Sequence, residues 1–151
     1  ITPCTDLIVS VAEARTHLRI DGNSEDTRLE ALILAAQSYI EGSVEGGITL
    51  LQTTWKETLP EFSDEIRLPR PPHQSTTSLE YYDADNDLIE LEEGTDFYVV
   101  YNWGLPAILT PVSAWPSTYD RPDAVQITYV AGFAEPPKAL KQAVLLMLSA
   151  W

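Results

Sequence analysis

The apolar pattern of this chain changes period twice, and few folds accommodate that. Up to residue 47 apolar side chains recur every three to four positions; from 48 to 134 they alternate; after Pro136-Pro137 the helical spacing returns. A period of 3.6 buries one stripe of a helix and a period of 2 buries one face of a strand, so each stretch suits one kind of element. The order implies an α+β fold: a helical core of two N-terminal helices plus a C-terminal helix, with a small antiparallel β lobe inserted. Residues 1–47 form the helical segment, 48–134 the lobe, and 135–151 a C-terminal helix that packs with the N-terminal helices or a partner.

The first helix opens on Ser10-Val11-Ala12-Glu13, the spacing of a capping box, and carries Val11, Ala14 and Leu18 on one stripe. Asp21-Gly22-Asn23 breaks the chain. Asn23 or Ser24 caps a longer helix whose expected buried face is Leu29, Leu32, Ile33, Ala36, Tyr39 and Ile40, ended by Gly46-Gly47. Seven strands follow: 52–59, 66–68, 75–82, 88–91, 97–101, 107–109 and 124–130, with the third and fourth a hairpin across Asp83-Ala84-Asp85-Asn86-Asp87. In the last helix Leu140, Val144, Met147, Leu148 and Trp151 mark one face, and burying five such side chains is worth on the order of 8–15 kcal/mol. That face must lie on the first two helices, on another subunit, or on both.

Charge narrows the partners. Nine Lys and Arg against 23 Asp and Glu give a net charge of −14, the wrong sign for a protein that grips phosphates in a DNA or RNA groove. It is compatible with a body that surrounds DNA without holding it. The segment after residue 134 is the exception: Lys138 and Lys141 outnumber Glu135. No apolar run approaches the roughly 20 residues that cross a bilayer, so no membrane partner is expected. One cysteine, Cys4, cannot form an internal disulfide. With no starting Met, and with Trp151 inside an unfinished helical pattern, the chain reads as the ordered part of a somewhat longer product.

Motifs that would carry chemistry fail on inspection. Asp83-x-Asp85-x-Asp87 lacks the Gly and Glu of a calcium loop, with Leu88 and Gly94 in their places, and reads as a polar turn. Glu92 with Glu93, or Glu61 with Asp64 and Glu65, could form a glycosidase pair, but no surrounding motif selects one. His17 and His73 have no ligand set, Cys4 has no evident base, and there is no nucleophile elbow or phosphate loop. No catalytic residue, metal or cofactor is expected. Arg67-Leu68-Pro69-Arg70-Pro71-Pro72 reads as a stiffened strand exit rather than a polyproline ligand. The seven acids of 83–96 read as a solvated hairpin edge, or as a non-stick surface toward a polyanion. Trp55 reads as core; Trp103 and Trp115, on loops, read equally as subunit anchors or loop packing.

The chain also resembles a known family. The run 11–21, VAEARTHLRID, followed by Glu25-Asp26 and a long Ala/Leu/Ile helix, is similar to the opening of phage head-tail connector (adaptor, head completion) proteins. The likeness continues through Gln52-Thr53-Thr54-Trp55, Ile66 to Pro72, Tyr81 to Asp85, Trp115-Pro116, Arg121 to Val125, Val130 to Phe133 and Leu140 to Leu146. The resemblance implies a structural protein of long-tailed phages or gene transfer agents, located at the virion head-tail junction and assembled in the bacterial cytoplasm. It implies a ring of about twelve copies under the portal protein, joined to a downstream stopper or tail-terminator protein, with DNA passing through and not read. On that footing Lys138, Lys141, Met147 and Trp151 are expected to meet the portal, Trp103, Trp115 and Arg121 a neighbouring subunit, and Glu92, Glu93 and Asp96 the channel. The rival readings are a stand-alone β-lobe binding module and an acid-catalysed hydrolase.

Overall fold

The computed structural model describes residues 6–43, 47–101 and 105–150. Helix α1 (Val11–Leu18) begins at the capping box: the Glu13 amide donates to the Ser10 hydroxyl at 3.1 Å, and the Ser10 amide donates to the Glu13 carboxylate at 2.9 Å. The hydrogen bonds from Ser10 hold the Glu13 carboxyl below its ordinary range. Arg19, in the left-handed region at φ 57, ends the helix.

Helix α2 (Asp26–Ser43) starts later than a cap at Asn23 or Ser24 would place it. The Asn23 carbonyl accepts from Asp26 in a tight turn, and the helical ladder opens on the Glu25 carbonyl, which accepts from Leu29 at 2.9 Å. Leu29, Ile33 and Ala36 are buried and Leu32 and Ile40 half-buried, but Tyr39, expected on that face, is 63% exposed. The inward place goes to Gln37, whose Oε1 accepts from the Ile8 amide at 2.9 Å while its Nε2 donates to the Asp6 carbonyl at 3.3 Å. Gln37 thereby satisfies the backbone of the segment before α1, and the buried stripe turns away from Tyr39. Gly46 of the expected terminator lies outside the described residues.

Helix α3 (Lys138–Ala150) lies on both α1 and α2. Val144 and Leu148 are buried in one cluster with Ile8, Val9, Ala14, Ile33 and Ala36, and His17 Nε2 meets Ser149 Oγ at 2.9 Å. Of the expected stripe, Val144 and Leu148 are thus sheltered within the chain, and Leu140 and Met147 pack half-buried against the same cluster.

The lobe is built from two antiparallel sheets. In the first, β1 (Thr53–Leu59), β7 (Val125–Ala131), β3 (His73–Tyr82) and β4 (Leu88–Leu91) lie in that order; in the second, β2 (Ile66–Leu68), β6 (Ala107–Pro111) and β5 (Phe97–Val100) do. Strand β7 alternates fully buried and half-buried positions, sending Val125, Ile127, Tyr129 and Ala131 into a core shared with Ile66, Leu68, Phe97 and Leu109 of the second sheet. Trp55 is half-buried at the margin of this core, with the Arg70 guanidinium 4.5 Å from its ring centre.

Helices and lobe meet at a backbone junction. The Thr49 amide donates to Pro71, Gly132 to Pro72 and Phe133 to Leu50. Gly132 has φ +103, and a Cβ on it would stand 2.2 Å from the Leu51 carbonyl oxygen. Gly132→Ala is expected to destabilise the protein by about 2–4 kcal/mol in chemical denaturation, since neither the dihedral nor the two chain segments can accommodate a methyl group. Gly42→Ala, in α2 with nothing within 4 Å, is expected to be neutral or to stabilise by about 0.5 kcal/mol.

Candidate interaction surfaces

The hairpin tip is a stiff acidic knob. Asp83 Oδ1 accepts from the amides of Asp85 and Asp87, each at 3.0 Å, and Asn86 turns the chain at φ 65. Arg121 braces the knob from below: it chelates Asp123 at 2.6 and 2.9 Å, donates to Asn86 Oδ1 at 3.2 Å, and lies 3.7 Å from the centre of the Tyr82 ring. The Arg121 guanidinium bonded to Asp123 holds that carboxyl below its usual range. Leu88 (48% exposed) and Ile89 (38%) stand just beyond the turn, on opposite faces of β4.

A second acidic turn follows β4. Asp96 accepts from the Glu92 amide at 2.8 Å, so Glu92, Glu93 and Asp96 share one exposed turn, as their proximity in sequence implied. Trp115 lines a cleft with Thr95 and Asp96 of this turn and is stacked on Phe62 at 4.6 Å with the rings 5° from parallel. Trp115 and Arg121 are therefore both engaged within their own chain. Trp103 and Trp151 lie outside the described residues. On α3, Lys138 is exposed, Lys141 and Met147 are half-buried, and Leu146 is 59% exposed.

His73 was not singled out by any sequence pattern, yet the fold places it at a pocket. Its ring lies 5.9 Å from Tyr129, nearly parallel, and 5.2 Å from Tyr101, and Nε2 meets the Thr76 hydroxyl at 3.1 Å. The pocket is about 180 Å³, bounded by Pro72, Gln74, Leu105, Ala107 and Phe133 as well. Burial alone pushes the His73 pKa below its ordinary value. A wider cleft of about 600 Å³ beside the Phe62–Trp115 stack has Glu61 and Asp64 on its wall, without a histidine or lysine to work with them. Among the described residues no group of His, Cys, Asp and Glu could hold a metal ion, and no helix is long and apolar enough to cross a membrane.

Comparison with known proteins matches this architecture along almost its whole length. A family model described as head completion protein matches residues 7–151. The chain is similar to a chain in the neck of an empty gene transfer agent (GTA) particle computed with C6 symmetry, with a TM-score of 0.76 and 27% identity over 95% of this chain and 76% of that one. It is similar to one in the virion of a native GTA particle, with a TM-score of 0.75, 27% identity, and 95% and 77% of the two chains covered. A third likeness is to a chain in the neck of a native GTA particle computed with C12 symmetry, at TM-score 0.74 and 26% identity, covering 95% of this chain and 75% of that one. No curated protein sequence matches.

Two predictions follow from the braces. Arg121→Ala is expected to leave the fold intact and to raise amide hydrogen exchange several-fold at residues 83–88, read by mass spectrometry, with 125–131 unchanged. His73 binds its proton more weakly folded than unfolded, so its contribution to stability is full above its unfolded pKa and is lost as pH falls from there toward the folded value. Thermal melts at pH 7.5 and 5 should therefore show a smaller acid loss for His73→Gln than for the parent.

Proposed function

The chain belongs to the head completion protein family, and from that premise we propose that it is the adaptor subunit of a head-tail junction. It assembles as a ring of about twelve copies beneath the portal protein. The ring joins the filled head to a stopper or tail-terminator protein and encloses the path of the DNA. The observation that carries this reading is the match of 95% of the chain, lobe and helices together, to chains of the GTA neck.

The physical chemistry supports the same role. A ring of subunits each carrying −14 repels a polyanion instead of trapping it, which suits a conduit through which DNA must slide. Glu92, Glu93 and Asp96, gathered on one turn, are the acids assigned to that lining. Helix α3 offers Lys138 and Lys141 in its first turns, a locally positive end for an acidic neighbour, with Leu146 exposed farther along; with Met147 and Trp151 it is assigned to the portal. The role is structural, without catalysis or cofactor.

Deleting the gene is expected to yield DNA-filled or leaking heads without tails in electron micrographs, with transfer of DNA to recipient cells reduced by several orders of magnitude. Tailed, competent particles from the deletion strain would refute the assignment.

A further inference from the structure

A closed ring of identical copies needs two different surfaces per copy, one to give and one to receive. The fold places a candidate for each at the end of an element that starts at the junction between helices and lobe. The giving end is the hairpin tip. Strand β3 leaves the junction at His73, paired to Ala131, and reaches the tip at Tyr82 after ten residues, about 33 Å of extended chain. There Leu88 and Ile89 project beside Asp85 and Asp87, whose carboxylates form no ion pair among the described residues.

The receiving end lies at the far end of the helices. Helix α2 runs 18 residues away from the junction, about 27 Å, with Glu41 near the lobe, bonded to the Leu50 amide, and Asp26 farthest from it. At this distal end Leu18, Ile20, Leu29, Leu32 and Leu148 line an apolar cleft of about 180 Å³, room for one leucine-sized side chain. Its mouth carries the Glu25–Arg28 pair, 3.5 Å apart, with the Arg28 side chain 74% exposed, and Arg19 is exposed beside Ile20. Knob and cleft match in three respects: aliphatic Leu88 to an aliphatic hollow, carboxylates to Arg28 at the mouth, beside its partner Glu25, and to Arg19 on the adjoining surface, and a stiff braced turn to a cleft walled by packed helices.

We infer that the β3–β4 hairpin tip of one copy seats Leu88 in the Leu18–Leu32–Leu148 cleft of the next copy, with Asp85 and Asp87 facing Arg19 and Arg28. The contact is head to tail and closes when the rotation per copy divides the circle. It rests on the adaptor-ring reading above and deepens it by naming the interface.

The test uses particles carrying a tagged chain. The unmodified chain must first be present in purified particles; its absence would overturn both the adaptor reading and this interface. In particles made with the Cys4→Ser, Leu32→Cys, Leu88→Cys chain, a short bismaleimide should give a ladder at multiples of the chain mass. The single-cysteine chains should give none. Incorporation without a ladder, or linkage of Cys4→Ser, Leu88→Cys to a different protein, would overturn the interface and leave the adaptor role standing. A charge exchange decides the matter if the double-cysteine chain stays out of particles. Arg28→Glu and Asp87→Lys should each lower incorporation about fivefold or more, and their combination should restore it to within about twofold. A combination no better than the single variants would overturn the inference.

Discussion

The architecture depends on two backbones passing closer than side chains allow. At Gly132 the chain leaves β7 with a carbonyl of Leu51 where a Cβ would be, in a dihedral that L residues rarely adopt. That approach lets the segments 49–51, 71–72 and 132–133 share hydrogen bonds, and it sets where α3 begins relative to α2. Displacing it would misdirect β7, which is central in the larger sheet and supplies four of the buried core side chains. The junction is where two otherwise separate cores acquire a fixed relation.

From that relation follows a division of labour by charge. The helices bury Val144 and Leu148 of α3 against α1 and α2, and leave Tyr39 and Leu146 exposed. The lobe carries most of the surplus acid, and part of it stands on two turns whose backbones are tied down by Asp83, Asp96 and Arg121. Tied turns keep their charges at fixed places, and a fixed pattern of charge orients neighbouring subunits more sharply than a mobile one.

Much of this was legible in the sequence because it was local. The capping box, the hairpin and all seven strands are written in patterns that span fewer than a dozen residues. Tyr39 was misread because an aromatic at helical spacing looks like core, whereas the position belongs to Gln37, whose amide answers backbone groups some 30 residues away. His73 gave no signal, since its pocket is assembled with Tyr101 and Phe133 and its ring rests on Tyr129, each distant in sequence. The division of the lobe into two sheets was hidden for the same reason. Alternation says that a strand has an inner face but not which strand lies opposite. Trp115 shows the limit for surfaces: a loop tryptophan between small residues and a proline does not say which ring it will meet, and its stack on Phe62 joins positions 53 residues apart.

The antiparallel pairing of β1 with β7, in register from Thr53 opposite Ala131 to Leu59 opposite Val125, brings the start and finish of the lobe to adjacent rungs about 5 Å apart. An element whose ends leave and return side by side can be lengthened or shortened at its outer turns, such as 83–87, without disturbing the junction residues that hold the three helices. The outer turns of the lobe are therefore free to change in length and charge while the helices keep their places.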